Sequence, residues 1–144
     1  VKDVDYGFVG DVKQVNEPAL SALINQGIVP VMAPLTHDGE GHILNTNADT
    51  IAGETAKALA ATFDVTLVYC FEKKGVLRDE NDDDSVIPVI TPDLFKQYVN
   101  DGTIQGGMIP KLENSFSEIN AGVSQVIITF ATDINKSSGT LIKK

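Results

Sequence analysis

Asn45-Thr46-Asn47-Ala48-Asp49-Thr50 stands where an apolar run ending at Leu44 gives way to an alanine-rich helical pattern, and the reading of this corner decides the fold. A strand entering a helix through a short polar turn is the unit from which parallel sheets with covering helices are built. Asn45 and Asp49 lie four apart across the turn, so an amide and a carboxylate are offered from one rigid end of a sheet. Asn47 is the natural N-cap, which leaves Asp49 in the first helical turn, where the helix dipole favours a carboxylate. Plain capping accounts for the same residues, since helix starts select Asn and Asp. Both readings stand at this point.

Outward on the C-terminal side, 48–63 reads as a helix with Ile51, Ala52, Thr55, Ala56, Leu59 and Ala60 as a small-residue face for close packing on a sheet. A strand follows at 64–70, in which Cys70 is expected to pack as a small hydrophobe, no basic partner being evident to make it a reactive thiolate. On the N-terminal side, Asp38, Gly39 and Gly41 give 36–41 the turn chemistry of a hairpin tip. His37 and His42 flank it without a third ligand at a sensible spacing, so no metal site is expected. Residues 28–33 read as a buried strand. Asn16 caps a helix to about Gln26, with Glu17 and Pro18 in its first turn and Gly27 as its stop. Phe8, Val9, Val12 and Val15 suggest one or two short strands, with Gly7 and Gly10 as turn or bulge positions.

Residues 71–85, FEKKGVLRDENDDDS, form a surface loop by composition. Their acidic run fails as a calcium loop, because with Asp79 as position one, position six is Asp84 instead of Gly and position twelve is Ile90 instead of Glu. The stretch reads as a solvated, mobile turn. After a strand at 88–90, Thr91 caps a helix that begins at Pro92, buries Leu94, Phe95 and Tyr98, and ends at Gly102. Residues 102–116, GTIQGGMIPKLENSF, then run a glycine pair into a helix with Leu112, Phe116 and Ile119 on one face and Lys111 in its first turn. A cation there opposes the helix dipole by roughly a few tenths of a kcal/mol unless an anion shares that end. Glycines that admit a ligand to the backbone, amides at a helix start and a lysine together suit a phosphate. The stretch is not the Walker pattern, and a loop glycine pair beside a solvated lysine explains it equally. Strands at 124–129 and 140–142 close the chain, joined through a flexible KSSG at 136–139.

The 144 residues, 42% of them hydrophobic, suffice for the core of about one domain. A net charge of −9, with eleven basic residues scattered along the chain, argues against a nucleic-acid partner. One cysteine excludes an internal disulfide framework and fits a reducing, cytoplasmic setting, and no apolar run approaches the roughly 20 residues needed to span a bilayer. The opening VKDVDYGFVGDV carries three aspartates and no basic-then-apolar lead, so it does not read as a secretion signal. Without an initiator Met it suggests a piece of a longer protein. The alternation of strands and helices predicts an α/β fold, a three-layer αβα sandwich with a mostly parallel sheet whose sites gather at the carboxyl ends of the strands.

The order GFVGDV (7–12), GIVPVMAP (27–34), NTNADT (45–50), GGMIPKL (106–112) and a closing GT (139–140) resembles the acetylglutamate kinases of the amino-acid-kinase fold over essentially the whole chain. The resemblance implies ATP-dependent phosphorylation of the side-chain carboxylate of an N-acylated glutamate, with Mg²⁺ bridging phosphates and few protein ligands to the metal. It casts Asn45 as a substrate contact, Asp49 as the organiser of the lysines around the phosphates, and Lys111 as the neutraliser of charge on the transferring phosphoryl group. Glu72, Lys73, Lys74, Gly75, Val76 and Leu77, with Thr103, Ile104 and Gln105, would hold ATP. The division implied is a substrate half over 1–63 and a nucleotide half over 64–144, in a protein expected to be dimeric when intact. Phe71, Glu72 and Lys73 depart from the family's Ser/Thr-Asp-apolar run. The matched part is the later one, without the glycine-rich lysine loop and the carboxylate-gripping arginine, so the chain alone is expected to be inactive. Phosphorylation of N-succinylglutamate or another amino acid, and a nucleotide-binding module without catalysis, are the alternatives.

Overall fold

The computed structural model describes residues 6–134 and 138–144. Asn16 accepts from the Ala19 amide and starts α1 (Glu17–Asn25), which Gly27 ends at φ 76°. The hairpin β1 (Leu35–His37) and β2 (Ile43–Asn45) follows, its tip closed by the Asp38 carboxylate, which accepts from the Glu40 amide at 2.7 Å and the His42 amide at 3.2 Å. These bonds, the one from Glu40 foremost, hold the Asp38 carboxyl below its ordinary range. Asn47 caps α2 (Ala48–Leu59) through the Thr50 amide at 3.1 Å.

The remaining elements are β3 (Thr66–Phe71), β4 (Val89–Ile90), α3 (Pro92–Asn100), α4 (Met108–Asn120), β5 (Gln125–Phe130), a 3₁₀ turn (Ala131–Asp133) and β6 (Thr140–Ile142). Four strands form a sheet in the order β3-β5-β6-β4, in which β3 with β5 and β4 with β6 are parallel and β5 with β6 antiparallel. The α/β class with a mostly parallel sheet is therefore found. Period-two alternation puts Leu67 and Tyr69 of β3 beside Val126 and Ile128 of β5 on one face, where Ala56 of α2 and Leu112 and Ile119 of α4 complete a buried core. Burying each of the Leu, Ile and Val side chains contributes about 1.5–3 kcal/mol, which is what fixes α2 and α4 on that face.

Four local expectations are corrected. Residues 8–15 make no strand: Val9 forms a single bridge to Asn45, because Gly7 turns the chain at φ 65° and Gly10 packs against Leu44 and Thr36. Residues 28–33 are not a buried strand. No strand among the described residues pairs with them, and Val29 and Val31 are 82% and 94% exposed. Cys70 is exposed instead of packed, because alternation along β3 gives the core face to Leu67 and Tyr69. The acidic loop is solvated as expected, but it is pinned at its base, where Val76 and Ile87 are each 2% exposed and Leu77 bridges Val86. The expected flexible stretch at 136–139 begins in residues outside those described.

Candidate active site

Two helix starts meet at the carboxyl end of β3. Asn45 ends β2, held by main-chain bonds to Phe8 and Gly10, and the cap at Asn47 sets Asp49 in the first turn of α2. Opposite, α4 begins after Gly106 and Gly107 with no side-chain cap. Gly106 needs glycine for its φ of 56°, but a Cβ at Gly107 would meet nothing within 4 Å among the described residues, so none of them accounts for its bareness. The Met108 and Ile109 amides turn back onto the Gln105 and Gly106 carbonyls at 3.3 Å and Pro110 has no N–H, so what faces the open space is the bare backbone of the two glycines, which lets an anion come close.

Lys111 Nζ lies 2.9 Å from Asp49 Oδ2. The lysine side chain is 16% exposed and the aspartate 53%, so this half-exposed pair contributes only about 0–1 kcal/mol to stability. Its consequence is geometric: the cation is held at the mouth of both helices, with Asp49 supplying the negative charge that a lysine in a first helical turn lacks. The Phe71 ring centre is 3.4 Å from the same ammonium and the Tyr69 ring centre 5.3 Å, so two aromatic faces complete the cage.

Behind the cage, the Tyr69 hydroxyl oxygen lies 2.7 Å from Glu118 Oε1 and 3.4 Å from the Asp49 carbonyl oxygen. Burial, then the Glu118 bond, holds the phenol in its protonated form. Glu118 is 4% exposed, and burial pushes its carboxyl above the ordinary carboxylate value.

The structure brings Asp49 and Lys111 together and leaves Asn45 at the entry to α2. Of the nucleotide segment, Glu72, Lys73 and Lys74 are exposed, with Lys73 on Asp83 at 2.7 Å and Lys74 on Asp84 at 2.6 Å, hydrogen bonds that raise both ammonium groups. Gly75 and Val76 are buried, the Val76 amide bonded to Thr140 Oγ1, and Leu77 is half-buried. Ile104 is also buried, its amide on Tyr98 O, so Val76 and Ile104 serve the core through their side chains. Thr103 and Gln105 shape the turn before α4 through bonds to Asp101 and Gly102.

Sequence reasoning missed the roles of Tyr69, Phe71 and Glu118. A signal existed for Glu118, which stands seven residues after Lys111 and so on the same helical stripe, next to the apolar face of Leu112, Phe116 and Ile119. It also missed that Asp38, Glu40 and His42 bring one potential ligand atom each to within 4.8 Å at the hairpin tip, where all three are exposed.

The strand ends of this α/β sheet thus present a glycine-led helix and a lysine held between a carboxylate and two aromatic rings, at the edge where ligands of such sheets gather. The chain matches the amino acid kinase family over residues 1–129, and it belongs to that family. It is 81% identical to the acetylglutamate kinase of Phocaeicola vulgatus over 144 residues, all of this chain and 56% of the relative. It is 74% identical to that of Bacteroides thetaiotaomicron, with the same shares covered. The chain thus spans about half the length of the curated relatives it matches. Among solved structures, smu.665 from Streptococcus mutans UA159 superposes at TM-score 0.73 and 34% identity, covering 96% of this chain and 52% of that one. N-acetylglutamate synthase from Neisseria gonorrhoeae, complexed with coenzyme A and N-acetyl-glutamate, superposes at 0.80 and 18% identity over 95% of this chain and 32% of that one, a likeness of fold alone. No helix among the described residues is long and apolar enough to cross a membrane.

Proposed function

We propose that these residues form the later part of an acetylglutamate kinase, which phosphorylates the side-chain carboxylate of N-acetyl-L-glutamate from ATP in cytoplasmic arginine biosynthesis. The observation that carries the reading is the 2.9 Å contact of Lys111 with Asp49 between two helix starts; the named relatives supply the substrate. An oxygen of the substrate carboxylate attacks the γ-phosphorus, the bond to the bridging oxygen breaks, and ADP leaves with that electron pair. The product is an acyl phosphate. The attacking carboxylate is already ionised near neutral pH, so no general base is needed, and positioning with charge neutralisation accounts for the rate.

In this reading Lys111 neutralises charge on the transferring phosphoryl group, and Asp49 aims it. Asn45 contacts the amino-acid substrate. The open backbone at Gly106 and Gly107 receives phosphate oxygens, and the exposed side chains of Glu72, Lys73 and Lys74 with those of Thr103 and Gln105 border the nucleotide. Mg²⁺ would supply further charge neutralisation at the nucleotide phosphates beside Lys111, with few ligands from the protein. Residues 1–63 complete the substrate half and 64–144 the nucleotide half, in a protein that is a dimer when intact.

The test is acyl phosphate formation, trapped with hydroxylamine, by the full-length polypeptide carrying these residues, offered N-acetylglutamate, N-succinylglutamate and free glutamate with MgATP. Turnover of N-acetylglutamate in preference to the others is expected. Turnover of none of them would overturn the assignment.

A further inference from the structure

We propose that Glu118 is a positioning residue whose buried, neutral carboxyl donates to the Tyr69 hydroxyl and so frees the single phenolic proton for the Asp49 carbonyl. The relay ties the start of α2 to β3 and α4 and sets the direction of the Asp49 carboxylate toward Lys111. It deepens the proposed function and rests on that reading for its catalytic meaning.

The proton count carries the inference. The Tyr69 oxygen lies 2.7 Å from Glu118 Oε1 and 3.4 Å from the main-chain oxygen of Asp49. An ionised Glu118 would leave two acceptors competing for one phenolic proton. A proton on Glu118 removes the competition: Oε1–H donates to the phenol, and the phenol donates onward. The second carboxyl oxygen, Oε2, is buried with no hydrogen-bond partner among the described residues, a placement tolerable for a neutral carbonyl oxygen and costly for a carboxylate. Gly53 makes the space, because a Cβ there would run into Glu118 Oε1. The charged groups around Glu118 agree. On α2, Lys57 favours ionisation, but it is paired with Glu54, and Glu54 and Asp49 both oppose ionisation. Lys111, two turns back on α4, is engaged by Asp49.

The side-chain carboxyl ¹³C resonances of Glu118 and Asp49 in the labelled chain test this from about pH 4 to about pH 9 without any need for nucleotide. Glu118 is expected to keep the protonated shift through about pH 4–5, the range in which an unperturbed glutamate ionises. Ionisation within that range would overturn the proposal. Glu118→Leu is expected to move the Asp49 resonance, and Glu118→Gln, whose amide can donate to Tyr69, to restore it. An Asp49 resonance indifferent to both would overturn the positioning role, as would equal displacement by both. MgATP affinity read on the same samples separates the two claims. A protonated Glu118 that sets Asp49 in a chain indifferent to MgATP would refute the nucleotide reading and leave the relay standing.

Discussion

The ammonium of Lys111 stands 3.4 Å from the centre of the Phe71 ring, at the carboxyl end of β3. A desolvated cation–π contact of this kind is worth about 0.5–2 kcal/mol. Phe71→Leu keeps the apolar bulk and removes the ring face. MgATP affinity is therefore expected to fall by roughly two- to thirtyfold, with Phe71→Tyr near the wild type. Calorimetric titration of the three proteins checks it; equal affinity in Phe71→Leu would show that the ring is only packing.

Glu118 sets a pH dependence of stability. Its carboxyl is raised above the ordinary 4.5 by burial first, with Lys57 acting against the shift. The folded state thus holds the proton more tightly than the unfolded one. The stabilisation is complete below the unfolded value and is lost as pH rises through the folded one. Glu118→Gln cannot ionise and should lack this decline. Urea midpoints across that window, compared between the two proteins, measure the difference.

The same crowding predicts a non-additive pair. Gly53→Ala places a methyl against Glu118 Oε1, and overpacking at such a site costs about 1–3 kcal/mol. In a Glu118→Ala background the obstacle is gone, so the second substitution should cost less than the sum. A double-mutant cycle in urea reads the coupling directly, and strict additivity would mean the helix moves aside freely.

Thr140 is a buried clasp between the acidic loop and the sheet. Its hydroxyl accepts from the Val76 amide at 2.8 Å and donates to the Ile87 carbonyl at 2.7 Å, with the residue 0% exposed. Thr140→Val keeps the shape but strands both partners, at a cost of about 1–3 kcal/mol. Thr140→Ser should recover most of it. Thermal unfolding of the pair of variants distinguishes the lost hydroxyl from the lost methyl.

The elements legible in the sequence were those governed by local chemistry. Asn16, Asn47 and Thr91 cap helices where their side chains imply, Gly27 and Gly102 end helices at positive φ, and Asp38 with Gly39 and Gly41 turns the hairpin. What failed depended on partners distant in sequence. Apolar residues 28–33 look like a strand by composition, but a strand exists only if another pairs with it, and none described here does. Cys70 was misplaced because the face that alternation assigns it is fixed by what packs on Leu67 and Tyr69. At the site, Asp49 and Lys111 were legible separately as a helix-start acid and a glycine-led lysine. Their contact and the aromatic cage were not, because Phe71 and Tyr69 announce only a strand.

Phosphoryl transfer also needs groups on both sides of the phosphate, and Asp49 holds a single lysine here, Lys111, among the described residues. The 144-residue chain by itself is thus expected to form no acyl phosphate above background in the hydroxylamine assay. Robust turnover would mean that the groups present suffice.

The most direct measurement is calorimetric titration of MgATP into the folded chain and into Lys111→Ala. Saturable binding is expected, weakened by about ten- to hundredfold in the variant, as loss of a charge-assisted phosphate contact worth about 1.5–3 kcal/mol requires. Absence of binding by the folded chain, or binding indifferent to Lys111, would contradict the assignment of a phosphate site to the junction of α2 and α4.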